Sequence, residues 1–202
     1  MATENGIFAD HRLLERRHNE FLLPMLEAVC DAADISPQAL DVVGFSAGPG
    51  SFTGVRIAAA AVQAVSFVAE AQVVPVSSSR VLMLSAQNVL EEGEVGVCSI
   101  RSRGDAYYLS AYVDNELLYA DELCTESPAW LHSDMTLIGE SPGWLEGGLT
   151  LVEVEPDARA MLHLVAQLHA QGESVTPESA LPRYLEGDSP WKKSVTASSS
   201  SP

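Results

Sequence analysis

The sequence predicts an α/β fold in which a layered first region is followed by a smaller α+β region. Over residues 1–95, apolar strand patterns alternate with helical patterns, which is typical of a sheet covered by helices. From residue 96 onward, strand patterns follow one another across turn residues, which is typical of hairpins. A chain of 202 residues with 47% apolar residues can bury a substantial core. We therefore expect domains over residues 1–95 and 96–193, and a disordered serine-rich tail over 194–202.

The first region contains three predicted helices and two predicted strands. In the first helix apolar residues recur at helical spacing, and Pro24 lies in its first turn or kinks it. Ser36 followed by Pro37 predicts a short turn of helix with a serine N-cap, and three serines from Ser77 offer caps for the third helix. The predicted helices cover residues 19–33, 55–69 and 80–90, and the predicted strands cover residues 41–45 and 73–76.

The second region is predicted to be mostly strands, with two helices. Turn chemistry at residues 114–116 separates two strand patterns and predicts a hairpin. A short helix is expected to start at Ser127, and a longer one to open at Pro156 and Asp157 and to end at Gly172. The predicted strands cover residues 95–100, 106–113, 117–123, 135–139 and 149–154.

Composition and charge exclude several classes of function. The chain has 11 basic and 28 acidic residues, a net charge of −17, whereas a protein that holds tRNA alone normally carries a basic stripe. The longest apolar run, residues 57–68, is interrupted by polar residues and falls short of a membrane span. No secretory signal pattern opens the sequence, so we expect a cytoplasmic protein with no membrane contact.

The three cysteines do not form a pattern that indicates a function. Cys30, Cys98 and Cys124 are odd in number and widely spaced, which argues against a disulfide framework and against a zinc site. We expect them to be small buried apolar residues in a reducing compartment. No histidine pair or acidic cluster has metal-ligand spacing, so no metal site is predicted.

A glycine-rich segment between a predicted strand and a predicted helix is the most informative feature of the sequence. Backbone N–H groups at such a position could hold an anion, yet the segment matches neither a Walker A loop nor a dinucleotide fingerprint. It could equally be a structural turn that lets the helix pack against the strand. The candidate anion-proximal residues are Gly48, Pro49, Gly50, Ser51, Phe52, Thr53, Gly54 and Arg56.

Arg56 lies in the first turn of the predicted helix, where a cation opposes the helix dipole and needs a compensating partner. That partner could be a phosphate, a carboxylate of this chain, or a carboxylate of another subunit. Ser46 lies in a Gly-x-Ser-x-Gly pattern that resembles a nucleophile elbow. The helix does not follow that serine directly, and the histidines downstream have no triad pattern, so we predict no catalytic residue.

The glycine-rich segment also carries a resemblance. Residues 48–56, reading Gly-Pro-Gly-Ser-Phe-Thr-Gly-Val-Arg, are identical to the hallmark of the TsaB family, also called YeaZ. The segment at 18–26, with its histidine and Leu-Leu-Pro, resembles the first helix of that family, and residues 73–78 resemble the end of one of its strands. Residues 180–185, together with Trp191, Lys192 and Lys193, resemble its C-terminal motif. The resemblance covers residues 6–193.

The resemblance implies a fold, partners and an interface. It implies an actin-like fold (Hsp70-like, ribonuclease H-like) of two domains that lacks catalytic residues and has no cofactor of its own. Such subunits pair with a TsaD-type catalytic subunit and a TsaE-type ATPase, which hold the metal and the ATP, form homodimers when alone, and meet tRNA only through the complex. The implied interface comprises Arg16, Arg17, His18, Leu22, Met25, Ala58, Ala61, Val62 and Val65 on the helices near 19–33 and 55–69.

The sequence departs from the family at its start. Family members usually open with a strand that reads like Ile-Leu-Ala-Ile-Asp-Thr-Ser, and residues 1–6 here resemble the hairpin that follows that strand. The first strand is therefore expected to be missing or to lie upstream. Two alternatives stay open: a glycoprotease-like peptidase or hydrolase, and a stand-alone nucleotide-binding protein.

Overall fold

The computed structural model describes residues 1–13 and 17–185, and within them the main strands form two separate sheets. The first half of the chain opens with a small antiparallel hairpin and then alternates helix and strand. Its elements are β1 (Ala2–Thr3), β2 (Gly6–Ile7), α1 (His18–Ala33), β3 (Val42–Ser46), α2 (Phe52–Ala69), β4 (Gln72–Val76) and α3 (Ser78–Ala86). The short helical turn after Ser36 is a 3₁₀ turn at Pro37–Ala39. Arg16, residues 186–193 and the tail at 194–202 lie outside the described residues.

The second half forms a five-stranded mixed sheet. Its elements are β5 (Val95–Arg101), β6 (Tyr107–Val113), β7 (Glu116–Cys124), β8 (Thr136–Gly139), β9 (Thr150–Val152) and α4 (Leu162–Ala170). The strand order is β7-β6-β5-β8-β9, in which β5, β6 and β7 are antiparallel neighbours and β8 and β9 run parallel to β5. The hairpin between β6 and β7 turns at Asp114 and Asn115, which have positive φ angles as expected for a tight two-residue turn.

The structure corrects the prediction for four helices. Helix α2 begins at Phe52, three residues before its predicted start, because the Ser51 hydroxyl caps the amide of Gly54 at 3.3 Å. Helix α3 ends at Ala86 rather than near residue 90.

No helix begins at Ser127; the chain makes only a turn there, closed by the amide of Leu131 and the carbonyl of Pro128 at 3.1 Å. Helix α4 begins at Leu162, because the Asp157 carboxylate instead accepts local hydrogen bonds from the amide and guanidinium of Arg159.

Strands β3 and β4 pair in parallel and are covered on both faces. Phe45 and Val73 pack with Ala59 of α2 on one face, while Val74 and Val76 pack with Val165 of α4 on the other. Gly44 permits the close approach of α4, since a Cβ atom there would lie 2.3 Å from a methyl group of Val165. The sheet of the first half is thus covered partly by residues from the C-terminal part of the chain, and the predicted domain limits stay a prediction.

The five-stranded sheet is also covered on both faces. Cys98, Tyr112 and Ile138 pack beneath α3, so α3 connects the two sheets. The opposite face buries Leu109 and Leu137 under loops that carry Trp130 and Trp144. Because α2 and α1 lie on the far side of the first sheet, their outer surfaces face solvent.

Candidate functional site

The glycine-rich segment is held by contacts within the chain. The amide of Ala47 donates to the carbonyl of Val76 at 2.8 Å, and the carbonyl of Gly48 accepts from the amide of Ser78 at 3.0 Å. Gly48 has a φ of +106°, a conformation that favours glycine. A Cβ atom on Gly48 would lie 2.8 Å from the carbonyl oxygen of Arg183, so the C-terminal part of the chain lies directly against this turn.

Residues 180–184 form a strap across the start of α2, and we call this stretch the C-terminal strap. Ala180 is fully buried in the core beneath α2, and its carbonyl accepts a hydrogen bond from the Gln63 side chain at 3.2 Å. The amide of Arg183 donates to the carbonyl of Ala47 at 2.7 Å. The strap therefore lies where the carboxyl end of β3 meets the start of α2, the region where parallel sheets usually present their ligand-binding loops.

Arg56 is held by aromatic rings. Its guanidinium carbon lies 3.6 Å from the ring centre of Phe52 and 5.7 Å from that of Tyr184, and its Nε donates to the Tyr184 hydroxyl at 2.9 Å. A carboxylate of the chain was one of the partners that the sequence left open, and Arg56 forms no ion pair within residues 1–13 and 17–185. The contacts of Arg56 are therefore structural, and anion binding by the glycine-rich segment stays a prediction.

Ser46 does not occupy the position of a nucleophile. It is the last residue of β3, its hydroxyl lies 2.7 Å from the Ser78 hydroxyl, and the described residues contain no hydrogen bond from a histidine to it. His169, which the sequence offered as one of several distant histidines, contacts Ser174 at 3.2 Å. The described part of the chain also contains no group of three His, Cys, Asp or Glu residues arranged for a metal ion.

All three cysteines are free and buried. Burial raises the pKa of Cys124 to about 12, and it raises the pKa of Cys98 and Cys30 as well. A raised thiol pKa disfavours the nucleophilic thiolate at neutral pH. The expectation that the three cysteines are buried is therefore confirmed, and the reducing compartment stays a prediction.

The outward side of α2 contrasts with its buried side. Val55, Ala59 and Ser66 are buried, whereas Phe67 is 70% exposed and Val68 is 59% exposed. Ala60 and Ala64 are exposed on the same outward side. The helix has 18 residues and a mean hydropathy of 1.5, so it is long and apolar enough to cross a membrane by length and composition alone. The expected absence of membrane contact stays a prediction. We call this apolar surface, together with the exposed Leu23 of α1, the outer helical face.

The predicted interface residues do not all lie on the outer helical face. Arg17 and His18 are exposed at the start of α1. Ala58 and Val62 are half-buried and pack against the core beneath α2, and their contact with a partner stays a prediction. The remaining described residues of that set, Leu22, Met25, Ala61 and Val65, are half-buried.

The residues of this face that the implied interface did not include are Leu23, Ala60, Ala64, Phe67 and Val68. The four on α2 recur at intervals of four, three and one, so a helical wheel of α2 identifies them once its buried side is known.

A groove of about 750 Å³ runs between α1 and α2 on this face. Its apolar lining includes Leu23 and Leu26 from α1 and Ala64, Val65 and Val68 from α2. At the C-terminal end of α1 the lining becomes acidic. The carboxylates there are those of Glu27, Asp31 and Asp34.

A half-buried carboxylate, that of Asp121, lies on β7, the edge strand of the five-stranded sheet. Burial raises the pKa of Asp121 on β7, although the hydroxyls of Ser79 and Ser110 and the charge of Arg183 act in the opposite direction. One carboxylate oxygen of Asp121 is buried and makes no hydrogen bond within the described ranges. The Ser79 hydroxyl instead lies 3.1 Å from that of Tyr112.

Comparison with known proteins gives consistent results. A family model described as TsaD, tRNA N6-adenosine threonylcarbamoyltransferase, matches residues 11–114. The chain is 31% identical over 210 residues to the tRNA threonylcarbamoyladenosine biosynthesis protein TsaB of Escherichia coli, covering 94% of this chain and 90% of that protein. It is 27% identical over 203 residues to the TsaB protein of Haemophilus influenzae, covering 91% and 86% of the two chains.

Solved structures agree with the sequence relatives. YeaZ from Pseudomonas aeruginosa superposes with a TM-score of 0.73 at 30% identity, covering 86% of this chain and 87% of that one. A second structure, described as an uncharacterized protein with similarity to peptidase YEAZ from Pseudomonas aeruginosa, gives a TM-score of 0.73 at 27% identity with the same coverage. These matches confirm the predicted actin-like, ribonuclease H-like fold class.

Proposed function

The chain belongs to the TsaB (YeaZ-like) family of tRNA threonylcarbamoyladenosine biosynthesis proteins, and we propose that it serves there as a non-catalytic subunit that docks on a TsaD-type catalytic subunit. The observation that carries this proposal is the outer helical face. Exposed, contiguous apolar surface of this kind on a folded domain marks a site of association. The alanines of α2 allow close approach of a partner helix.

The family-model match supports the nature of the partner. A model built for TsaD matches residues 11–114, a range that includes α1, α2 and α3. A TsaD-type subunit of related fold presents helices equivalent to α1 and α2, so the two chains can pair across an approximate two-fold axis. The same surface would join two copies of this chain when the partner is absent, because a two-fold axis brings identical patches together.

In this proposal, catalysis, metal binding and ATP hydrolysis belong to other subunits. The transfer of the threonylcarbamoyl group, the metal and ATP are assigned to the TsaD-type subunit and to a TsaE-type ATPase. The net charge of −17 supports contact with tRNA only through the complex, because the phosphate backbone of tRNA repels a chain with so many acidic residues. The complex acts in the cytoplasm, where tRNA is modified.

The alternatives have less support. A peptidase needs a nucleophile and a base within hydrogen-bond reach, whereas the side-chain hydrogen bond that Ser46 makes among the described residues is with the hydroxyl of Ser78. A stand-alone nucleotide-binding protein needs an open loop, whereas the C-terminal strap packs on Ala47 and Gly48. Labelling by a serine-directed fluorophosphonate, or tight binding of ATP by the isolated chain, would favour one of these alternatives over docking.

The test is size-exclusion chromatography with light scattering on the chain alone and mixed with the TsaD-type protein of its host. We expect a homodimer alone and a heterodimer in the mixture. Val68→Glu should weaken the heterodimer about 30-fold or more, the ~2 kcal/mol of a central interface residue, because it places a charge in an apolar contact. Val89→Glu is the matched control, since Val89 is 55% exposed and lies outside the outer helical face.

Three results would contradict the proposal. Absence of a complex at micromolar concentration would remove the subunit role. Equal binding by Val68→Glu and Val89→Glu would place the docking surface elsewhere. Flotation of the wild-type chain with phospholipid vesicles, lost in Val68→Glu, would assign the outer helical face to a membrane.

A further inference from the structure

Arg56 carries a charge that no other group in the described part of the chain neutralises. Its guanidinium stacks on the ring of Phe52, and its Nε donates to the Tyr184 hydroxyl at 2.9 Å. The remaining N–H groups of the guanidinium make no hydrogen bond or ion pair within residues 1–13 and 17–185. A guanidinium has five N–H donors in a planar arrangement that suits a carboxylate. The side chain is therefore positioned for a carboxylate that the described residues do not provide.

A second groove lies beside Arg56, between α2 and the C-terminal strap. It has a volume of about 420 Å³, which is room for one large side chain. Leu181 and Tyr184 on its strap side are 61% and 45% exposed. Its apolar lining comes from Ala59, Ala60, Leu181 and Pro182. One wall of this apolar groove is thus the last described stretch of the chain.

The sequence that follows the strap contains both a carboxylate and a large apolar side chain. Glu186 and Asp188 come two and four residues after Tyr184, and in an extended chain such residues lie on the same side as Tyr184. Trp191 is the one aromatic residue after Tyr184, and glycine, aspartate, serine and proline at 187–190 favour a reversal of the chain. Six residues can span about 20 Å. That length is sufficient for a return to a groove of which the strap is itself a wall.

We propose that the C-terminal extension of the chain covers the start of α2, with the Glu186 carboxylate paired to Arg56 and the Trp191 side chain in the groove. Each contact satisfies a feature that the described residues leave unsatisfied, the unused N–H donors in one case and the exposed apolar lining in the other. Lys192 and Lys193 follow the tryptophan directly and keep their ammonium groups in water at the rim.

The short connection favours this segment over a second copy or another protein as the occupant. A group that is tethered a few residues from its site has an effective concentration in the millimolar range there. A separate protein at micromolar concentration would have to compete with it. The anion that Arg56 holds is then a carboxylate of this chain, so no phosphate and no other subunit is needed beside the glycine-rich segment.

The groove contact is tested by fluorine NMR on the full chain labelled with 5-fluorotryptophan. The chain has three tryptophans, and Trp191→Phe identifies the resonance of Trp191. We expect a soluble paramagnetic agent to broaden this resonance several-fold less in the wild type than in Ala60→Glu, which places a charge in the groove. Ala166→Glu is the matched control and should keep the wild-type protection, because Ala166 is also an exposed alanine of a helix and lies outside the groove.

The ion pair is tested by a double-mutant cycle of Arg56→Ala with Glu186→Gln, measured as the midpoint of chemical denaturation. We expect the two shifts to be non-additive, because residues in contact share one interaction. The non-additivity should shrink at high salt, since Arg56 is exposed. Arg56→Ala with Asp188→Asn is the matched control. It removes a neighbouring charge of the same sign, and its shifts should add.

Other results would overturn the inference. Equal broadening of the Trp191 resonance in the wild type and in Ala60→Glu would show that Trp191 does not occupy the groove. Additive shifts for Arg56 and Glu186, or non-additive shifts for Asp188 instead, would remove the assigned ion pair. Protection of Trp191 that is lost on dilution would make a second copy the occupant. All of these measurements use the chain alone, so the inference can fail while the proposed docking stands, and the reverse.

Discussion

The start of α2 and its outward side belong to one helix, yet they differ in how many contacts they make with the rest of the chain. At the start, Ser51 caps the helix, Arg56 lies against two aromatic rings, and the C-terminal strap covers the preceding turn. On the outward side, Phe67 and Val68 are mostly exposed and contact little of the chain. The first region is held by internal contacts, and the second has apolar surface without a counterpart in the described residues.

This difference predicts that substitutions in the two regions affect different properties, the stability of the fold in one and association with a partner in the other. A substitution at the start of α2 breaks contacts that exist in the free chain, so it should lower the free energy of unfolding. A substitution on the outward side removes few internal contacts, so it should change the free energy of unfolding little and affect a partner instead. For the glycine-rich segment, whose turn is held by internal hydrogen bonds, we therefore expect substitutions to change stability.

The largest expected effect on stability is that of Gly48→Ala. The added Cβ would lie 2.8 Å from the carbonyl oxygen of Arg183, and the φ of +106° is unfavourable for alanine. Strain and overpacking together should lower the free energy of unfolding by about 3 kcal/mol. Chemical denaturation measures this change, and the affinity of the folded fraction for the TsaD-type subunit should stay unchanged.

Gly143→Ala is the control for that measurement. A Cβ atom at Gly143 meets nothing within 4 Å, and its φ is not positive. We expect its unfolding free energy to match the wild type. If Gly48→Ala were as stable as Gly143→Ala, the C-terminal strap would not lie firmly against the turn, and the contrast between the two regions of α2 would be lost.

A smaller loss of stability is expected for the Arg56 contacts. Arg56→Ala removes a cation–π contact with Phe52 and the hydrogen bond to the Tyr184 hydroxyl, which together should cost about 1 to 2 kcal/mol. Tyr184→Phe removes only the hydrogen bond and should cost about 1 kcal/mol. Arg56→Lys keeps the charge but not the planar stacking, so it should resemble Arg56→Ala more than the wild type.

The outcome for Arg56 also tests its alternative role. If Arg56→Ala leaves the melting temperature unchanged but abolishes binding of the TsaD-type subunit, then Arg56 contacts a partner rather than the C-terminal strap. A double-mutant cycle of Arg56→Ala with Tyr184→Phe distinguishes the two cases, because residues in contact give non-additive changes in unfolding free energy.

Most of the fold could be predicted because local patterns and tertiary packing agree. The strand at 42–46 and the helix from His18 follow directly from apolar spacing, and Ser36 capped its turn as expected. The predicted helix starts are wrong where a polar side chain can form more than one local hydrogen bond. The Ser51 hydroxyl caps the amide of Gly54, so α2 begins earlier than predicted. The Asp157 carboxylate accepts from the amide of Arg159, and no helix begins there. Apolar periodicity does not show which of the possible local hydrogen bonds a polar side chain forms.

The candidate site was less predictable because it depends on contacts between distant parts of the chain. Arg56 was recognised as a cation in need of a partner, but Tyr184 lies 128 residues away and no local signal links the two. Ala58 and Val62 were placed in the interface that the resemblance implies, and the structure shows that they pack partly against the core. The sequence does not indicate this orientation, because an alanine-rich helix has no polar side. Only the packing of α2 on β3 determines which side faces out.

The smallest expected effect on stability is that of a substitution at Asp121. This residue is partly buried, so it lies between the well-packed start of α2 and the exposed outward side of that helix. Because burial raises its pKa, the folded state holds the proton more tightly than the unfolded state. Ionisation therefore opposes folding, and the penalty is absent below the ordinary aspartate pKa of about 3.9, grows as the pH rises toward the raised value, and is constant above it. Asp121→Asn should then raise the melting temperature at pH 7, with a gain that shrinks as the pH is lowered to 3, below the ordinary aspartate pKa.

The matched control is Asp41→Asn, because Asp41 is exposed at the start of the first sheet. It should give no gain at either pH. A fall in melting temperature for Asp121→Asn at pH 7 would mean that the contacts with Ser79, Ser110 and Arg183 outweigh burial, so that the carboxylate belongs with the satisfied contacts at the start of α2. A gain that is the same at both values of pH would mean that the charge of Asp121 is not its cause.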